Sequence, residues 1–372
     1  MAETVVREEV REMVGDPVEV NTVLGPVPVD ELGMTLMHEH LICDWTGPLA
    51  TPEDPAERAF FGRRVDASIH WLLTENPGCC LDNARLDDPS AVVDELRLFA
   101  EAGGRTVVDC TNADIGRDPL ALQEIARAAG LNIVMGSGWY VHRYHDPGTA
   151  SAAPDELCER LLAEFVDGVD GTGVRPGIIG EIGVSPEFTD AEKTRLRAAA
   201  RAQREVGVPL LIHLPGWQRR AFEVLDVVLG EEGLDPRAVV LCHMDPSGED
   251  TAYQRDVAAL GVWLEFDMIG MPNYFPGEGQ SPGPGQTAAA IARLVDAGHA
   301  SQLLLSHDVA LKSLWTRNGG NGMGYVPRLF LPRLERHGVP AAVTAELLTV
   351  NPRRLFGDAG QSARSSSSIA PS

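Results

Sequence analysis

The sequence predicts an α/β protein in which eight parallel strands close into a TIM (β/α)8 barrel. Eight short apolar runs are bounded by Gly, Pro or charged residues, and most of them precede a segment with helical periodicity. Such segments supply the dozen or more residues that each parallel crossover needs. The alternative is an open doubly wound sheet, but no G-x-G-x-x-G motif follows the first run. The eight runs are residues 34–37, 105–109, 132–135, 177–179, 209–212, 238–241, 262–266 and 303–305.

Two of the intervening helices have recognisable ends. Thr189 and Glu192 form a T-x-x-E capping box, and Gly207 predicts the end of the helix that follows. Asp118, which precedes a proline, predicts the start of a second helix that ends at Gly130. Strands that alternate with such helices favour parallel pairing throughout.

One domain is expected, because 372 residues fit a single large barrel. We predict an N-terminal extension over residues 1–20, the barrel over 21–357 and a disordered polar tail over 358–372, where the sequence is of low complexity. The connection over residues 45–95 is long, so it predicts helices of its own that cover one barrel mouth.

Charge and cysteine usage narrow the function classes. A net charge of −23 repels phosphate backbones and anionic lipid, which argues against nucleic-acid and membrane partners and leaves a small-molecule substrate. The six cysteines show neither a C-x-x-C pair nor a disulfide spacing, which favours structural thiols in a reducing compartment. The first 20 residues lack an apolar run, so no secretory signal is predicted and a cytoplasmic location is expected.

Histidine and aspartate residues follow several of the predicted strands. His38 and His40 close the first strand, and residues two apart on a strand share a face. His213, His243 and Asp308 follow three other strands, and all strand C-termini of a β/α barrel converge on the face where active sites lie. Each residue alone fits a packed histidine or a helix cap equally well, but four such strand ends together indicate a metal site.

Glu181 completes this set of ligands. It follows the apolar residues 177–180 at the fourth strand end, where an unpaired carboxylate would be costly to bury and a carboxylate between two cations would not. Four imidazoles and two carboxylates suit zinc, manganese, cobalt or iron rather than calcium or magnesium. The sequence therefore predicts two divalent metal ions, with zinc first among them.

The chain resembles the phosphotriesterase-related branch of the amidohydrolase superfamily over about residues 20–356. The motifs that carry the resemblance are VLGPVPVDELGMTLMHEHL, GVRPGIIGEIG, GVPLLIHLPG, LLLSHD and NPRRLF, in this order along the chain. The resemblance implies a distorted barrel with a binuclear metal centre. It also implies a homodimer, since related barrels are often dimeric.

The resemblance also implies which residues bind which ion. His38, His40 and Asp308 would hold the more buried ion, and His213 and His243 the more exposed one. Glu181 stands where many phosphotriesterases and lactonases have a carbamylated lysine bridging the ions, as in the bacterial phosphotriesterase homology proteins and the animal phosphotriesterase-related proteins. Met268 stands where true phosphotriesterases carry a histidine thought to relay protons, which argues against efficient phosphotriester hydrolysis.

These residues predict a hydrolase for a carboxyl-type bond: an ester, a lactone or an N-acyl amide. A hydroxide between the two ions would attack, and Asp308 would take its proton and pass it towards the leaving group. Organophosphate hydrolysis is the alternative among enzymes. A barrel that binds a small molecule without catalysis is the alternative outside them.

Other residues are candidates for supporting roles. Asp245 and Asp267 follow strands and could orient a ligand histidine, or they could cap a helix or lie in a solvated loop. Tyr140, Arg143 and Tyr274 lie in loops after the third and seventh strands, where aromatic area and polar groups alternate as they do in substrate pockets. Packing at the barrel rim is the other interpretation of these loops. His307 is expected to point away from the site, into packing or towards a ligand.

Overall fold

Eight parallel strands form one continuous sheet, which confirms the strand prediction. The computed structural model describes residues 18–367, and of residues 362–367 it describes the backbone alone. Neighbouring strands pair in the order in which they occur along the chain, as a barrel requires. In chain order the barrel strands are Met34–Glu39, Gly104–Asp109, Asn132–Ser137, Ile178–Gly183, Leu210–His213, Val239–Leu241, Trp263–Phe266 and Leu303–Leu305, and we number them strand 1 to strand 8.

Strand 1 and strand 8 meet where the sheet closes. The Asp308 backbone N–H donates to the His38 carbonyl over 3.2 Å, and the His38 N–H donates to Ser306 Oγ over 3.0 Å. The buried Glu39 carboxylate accepts the backbone N–H groups of His307 and Val309, each at 3.0 Å. These contacts join the first and last strands of the barrel.

Side-chain alternation along the strands builds two layers of core. Val108, Leu211 and Leu304 belong to one buried cluster inside the barrel. Their strand neighbours Val107 and Ile212 belong to a larger cluster between the strands and the helices. This is the pattern expected when both faces of a parallel sheet are covered.

The helices surround the barrel. The two helices whose ends were predicted begin and end at the predicted residues. The Thr189 side chain accepts the Glu192 N–H in a complete capping box, and Gly207 and Gly130 end their helices in the left-handed conformation that glycine adopts without strain. Asp118 caps its helix by accepting two backbone N–H groups. The α-helices are Pro55–Phe61, His70–Glu75, Pro89–Glu101, Pro119–Ala129, Pro154–Asp167, Asp190–Val206, Ala221–Leu225, Thr251–Ala258, Pro284–Asp296, Leu331–Arg336, Ala341–Leu348 and Val350–Ser367.

The long connection after strand 1 carries two short helices with a small core of their own, which includes Ile69 and Leu73. The Lys312 ammonium, almost fully buried, lies 2.6 Å from an Asp82 oxygen and 2.7 Å from an Asp87 oxygen. Because Lys312 follows strand 8, these ion pairs hold the connection against the barrel mouth.

The ends of the chain differ in part from expectation. A hairpin of Glu19–Thr22 and Gly25–Pro28 lies next to strand 3, and residues 1–17 of the predicted extension lie outside the described residues. The last helix continues to Ser367, so residues 358–367 are helical where a disordered tail was predicted. Within this segment, Ala359 is fully buried. Residues 368–372 lie outside the described part of the chain.

Within residues 18–367, no helix combines the length and apolar character that crossing a membrane requires. All six cysteines are buried and none forms a disulfide, as their spacing predicts.

Candidate metal centre

The six predicted ligands meet at the C-terminal mouth of the barrel. His38 lies in strand 1 and His40 directly follows it, while Glu181 lies in strand 4 and His213 in strand 5. His243 and Asp308 lie in the loops after strands 6 and 8. The separation of the six ligands along the chain reaches 270 residues, and the closed barrel alone brings them together.

Glu181 lies at the centre of this group and is 1% exposed. One carboxylate oxygen, Oε1, lies 3.3 Å from His40 Nε2. The other, Oε2, lies 2.9 Å from His213 Nδ1 and 3.5 Å from His38 Nε2. A carboxylate with imidazoles on both oxygens has the position of a shared ligand.

The remaining contacts complete two ligand groups. Asp308 Oδ1 lies 3.4 Å from His40 Nε2 and 3.9 Å from His38 Nε2. His243 Nε2 lies 2.8 Å from His213 Nδ1. His38, His40 and Glu181 offer ligand atoms within 4.8 Å of one another, and so do Glu181, His213 and His243.

Buried polar atoms without hydrogen-bond partners test whether these residues fit metal ions. His38 Nε2, His40 Nε2 and Asp308 Oδ1 are buried, have no hydrogen-bond partner and converge on the Glu181 carboxylate. Buried polar groups are nearly always satisfied, so three orphaned atoms in one place call for a ligand. Atoms that offer lone pairs are satisfied together by a cation, and nitrogen and oxygen donors suit zinc or its transition-metal neighbours. The residues therefore fit two divalent ions that share Glu181.

The electrostatics keep Glu181 ionised. Burial alone would raise the pKa of Glu181, but His38 and His213 outweigh burial and hold that pKa well below its ordinary value. An ionised carboxylate is the form that binds metal.

Asp267 lies beside two of the candidate ligand imidazoles. Its Oδ1 lies 2.8 Å from His243 Nδ1, and its Oδ2 lies 3.3 Å from His38 Nδ1. The hydrogen bond to His243 lets that imidazole direct Nε2 at the site with Nδ1 protonated. Burial would raise the pKa of Asp267, but His243 and His38 lower it below its ordinary value.

Asp245 acts one step further from the site, where it holds Asp267 in place. Its carboxylate accepts the backbone N–H groups of Asp267 at 3.0 Å and Met268 at 3.1 Å. Burial and the neighbouring Asp267 charge raise the pKa of Asp245 to about 7. Among the described contacts, Asp245 forms no hydrogen bond with His38 or His243. It therefore supports these histidines through Asp267.

Several supporting residues were missed by sequence reasoning. Thr111 Oγ1 lies 2.9 Å from His40 Nδ1. Glu265 Oε2 lies 3.7 Å from His38 Nδ1 and accepts the Cys242 thiol over 3.4 Å. Both Thr111 and Glu265 follow or lie in barrel strands, but nothing in the local pattern distinguishes them from core residues.

His307 is turned away from the metal ligands, as predicted, and its partner is Glu39. The His307 Nδ1 atom lies 2.6 Å from a Glu39 oxygen, and Nε2 accepts the Val326 N–H over 2.9 Å. Burial would raise the pKa of Glu39, but His307 and its hydrogen bonds lower that pKa. Glu39 is the middle residue of the H-E-H motif. The motif alone does not show that Glu39 closes the barrel, because its partners lie just after strand 8.

A cavity of about 660 Å³ opens above the six ligands. Tyr140 and Arg143 line it, as predicted. Tyr274 does not line it and is 40% exposed, so the structure does not bring this predicted substrate-binding residue to the cavity. Tyr274 and Phe275 are adjacent in a short strand and point to opposite sides, and Phe275 is the one that faces the cavity. Sequence reasoning missed Trp45, which also lines the cavity.

Asp114 and His145 hold the loop that carries Tyr140. Asp114 Oδ2 accepts the Tyr140 N–H over 3.0 Å, and His145 Nε2 donates to the Tyr140 carbonyl over 2.6 Å. Burial raises the pKa of Asp114 from 3.8 to about 6 and lowers the pKa of His145 from 6.5 to about 4. At neutral pH the loop is therefore fixed by a mostly buried anion and a neutral imidazole.

We expect Asp114→Asn to stabilise the protein at pH 8 and to have a much smaller effect at pH 4.5. A carboxyl with a raised pKa contributes most to stability when it is protonated, below pH 3.8, and loses that contribution as the pH rises through about 6. The asparagine oxygen still accepts the Tyr140 N–H and carries no charge, so the gain at pH 8 is up to about 3 kcal/mol. Thermal unfolding of both proteins at the two pH values measures it, and an equal difference at both would contradict the assignment.

The chain is similar to known proteins over most of its length. The model of the phosphotriesterase family matches residues 18–356. The N-acetyltaurine hydrolase of Salmo salar is 34% identical over 340 residues, covering 90% of this chain and 97% of that protein. Two solved structures are also similar. A resiniferatoxin-binding protein from Rhodobacter sphaeroides is 44% identical with a TM-score of 0.89, covering 92% of this chain and 95% of that one. A lactonase from Listeria monocytogenes is 25% identical with a TM-score of 0.72, covering 91% and 98%.

The family match spans nearly all of the described chain. Four of the five motifs that carry the resemblance contain residues that line the cavity. The chain therefore belongs to the phosphotriesterase family of metal-dependent hydrolases.

Proposed function

We propose that this protein hydrolyses the amide bond of a small N-acylated amine that carries an anionic group, using two divalent metal ions. The observation that carries the proposal is the Glu181 carboxylate, which has ligand imidazoles on both oxygens beneath an open cavity. The N-acetyltaurine hydrolases among its relatives support an amide substrate with an anionic group. Met268, which lines the cavity where phosphotriesterases carry a histidine, argues against organophosphates.

The ligands divide between the two ions by their exposure. His38 and His40 are buried, and with Asp308 they would hold the inner ion. His213, whose side chain is 19% exposed, would hold the outer ion with His243. We propose zinc for both sites, since imidazole and carboxylate ligands at this ratio are common for zinc. Bound there, the ions supply an activated water as nucleophile and a Lewis acid for the substrate carbonyl.

Asp308 is the residue placed to move the proton. Its carboxylate lies at the cavity floor beside His40 and is 14% exposed, so it reaches both the ligand cluster and the substrate space. It would accept the proton of the attacking water and deliver it to the leaving nitrogen. An amine needs this proton, because it leaves poorly as an anion.

Arg143 and Tyr140 are placed to bind the substrate. Arg143 lines the cavity and its guanidinium lies 5.5 Å from the Tyr144 ring centroid. It would pair with the sulfonate, carboxylate or phosphate of the substrate. The Tyr140 hydroxyl lies 3.5 Å from His213 Nδ1, close enough to contact a bound acyl group.

We also propose that the protein acts in the cytoplasm and as a homodimer. Six buried cysteines outside disulfides support a reducing compartment. The dimer rests on the tendency of related barrels to pair, and light scattering of the purified protein measures it.

Substrate assays with defined metal content test the proposed function. The protein is stripped with a chelator, reloaded with zinc, manganese or cobalt, and assayed on N-acetyltaurine, N-acetyl amino acids, a lactone panel and paraoxon. We expect activity with two bound ions and highest kcat/KM on an anionic amide. Dominant lactone or paraoxon turnover would reassign the substrate. Two bound ions without turnover of any compound would favour the alternative, a binding protein, which the name of the Rhodobacter sphaeroides relative supports.

A further inference from the structure

The two sides of the cavity come from opposite sides of the barrel mouth. The sheet order places the loops after strands 1 and 3 on one side of the ring, and the loops after strands 5 and 7 across from them. Glu181 lies in strand 4 and Asp308 follows strand 8, so both lie between the two sides. A substrate whose scissile bond lies at Glu181 must extend one part towards each side.

One side, which we name the cationic face, consists of Trp45, Tyr140, Arg143 and Tyr144. The Tyr140 ring centroid lies 4.8 Å from that of Trp45 and 5.2 Å from that of Tyr144. Arg143 is the one Lys or Arg among the residues that line the cavity. It forms no ion pair with a carboxylate among the described residues, although the chain has a net charge of −23. A guanidinium without an ion pair in such an acidic protein provides a place for a substrate anion.

The opposite side, which we name the apolar face, consists of Leu214, Trp217, Met271 and Phe275. The ring centroids of Trp217 and Phe275 lie 5.6 Å apart. No lysine or arginine lines the cavity on this side. The one carboxylate that the loops after strands 5 and 7 contribute to the lining, that of Glu278, is exposed. The apolar face therefore offers an uncharged part of a substrate an aromatic and aliphatic surface.

Local packing shows that the apolar face is a built surface. Trp217 Nε1 donates to the Gln280 carbonyl over 3.2 Å. A Cβ atom added to Gly279 would come within 2.3 Å of the Trp217 ring, so the hairpin packs directly against the indole. At the base of the hairpin, Asn273 Nδ2 donates to the Leu73 carbonyl over 2.8 Å. These contacts fix Trp217 before any substrate binds.

The size of the cavity exceeds what an acetyl group can fill. A volume of about 660 Å³ lies within the range of about 300–1,000 Å³ that holds drug-sized ligands. An acetyl group bound at Glu181 would leave Trp217 and Phe275 in contact with water. Burying one further methylene group improves binding by roughly fourfold, so a longer acyl group would gain affinity from this surface.

We propose that the apolar face is an acyl-chain subsite, and that the substrate is an N-acyl amide whose acyl group has roughly six to ten carbons and whose amine part carries an anion bound by Arg143. This inference rests on the proposed function. The acyl chain extends from the scissile carbonyl over Met271 to Trp217 and Phe275. The anionic amine part lies on the cationic face, so hydrolysis releases a carboxylic acid on one side of the mouth and an amine on the other.

A chain-length series of N-acyltaurines tests the proposal on the zinc-loaded enzyme. We expect kcat/KM to rise at least about tenfold from the acetyl to the octanoyl compound. Trp217→Ala and Phe275→Ala should each reduce that rise to about threefold or less. Trp71→Ala is the matched control, since Trp71 is 65% exposed, does not line the cavity and undergoes the same change. It should leave the series unchanged.

Binding of the products separates failure of the subsite from failure of the proposed function. Calorimetric titration of the same protein with acetate and octanoate reports the acyl-chain subsite without turnover, and octanoate should bind at least about tenfold more tightly. Equal binding of the two acids, together with fastest turnover of the acetyl compound, would overturn the subsite and leave amide hydrolysis intact. No turnover of any acyl compound would refute the proposed function, and tight octanoate binding that Trp217→Ala weakens would still support the subsite.

Discussion

Replacing Glu181 with alanine is expected to lower kcat/KM by at least about 10³-fold, because water activation by two ions depends on the ligand that they share. Glu181 faces His40 with one oxygen and His213 with the other, so no other side chain in the cavity replaces both contacts. Without the carboxylate, four imidazoles and Asp308 remain. We therefore expect the purified variant to retain at most one of two metal ions, as measured by elemental analysis.

Glu187→Gln is the control for this change. Glu187 also lines the cavity but is exposed and makes no ion pair with the ligand histidines. It should keep both ions and an activity within about threefold of the unsubstituted protein, as surface changes usually do. If Glu181→Ala kept two tightly bound ions and normal activity, the proposed centre would be wrong.

Replacing Asp308 with asparagine is expected to lower kcat on amides by about 10² to 10⁴-fold, the usual contribution of a general acid or base. Asparagine keeps an oxygen at the position of Oδ1, beside His40, but it cannot accept and return a proton at neutral pH. The loss should therefore fall mainly on kcat, with metal content reduced less than in Glu181→Ala.

The leaving group shows whether Asp308 acts as a proton donor. A p-nitrophenyl ester needs no proton to release its alcohol, whereas an amide needs one to release its amine. Asp308→Asn should therefore lose at least about tenfold more activity on the amide than on the activated ester, a fraction of the general-acid effect. An equal loss on both substrates would assign Asp308 to metal binding alone.

The barrel and its ligand residues could be predicted because their signals are local. Short apolar runs gave the eight strands, and a His or Asp within three positions after a run marked the strand end that faces the mouth. His213, His243 and Asp308 needed no knowledge of their neighbours, since the fold class alone brings strand ends together. The capping box at Thr189 is equally local.

The residues that sequence reasoning missed act through partners far away in the chain. Glu265 looks like a polar residue in a central strand until the barrel places it beside His38, 227 residues earlier. The hairpin after strand 7 has a register that turns Phe275 inward and Tyr274 outward, and two adjacent aromatic residues give no sign of which one faces the cavity. The last helix continues into a segment of polar composition, where the burial of Ala359 gives no local signal in the sequence.

The Glu39 carboxylate has a consequence for how the protein is made. Its partners directly after strand 8, Ser306, His307 and Val309, lie 267 to 270 positions further along the chain. A nascent chain must therefore expose residues 306 to 309 before this buried anion has these hydrogen bonds. Asp308 lies in the same segment, so the candidate metal centre around His38 and His40 cannot assemble before that segment is made.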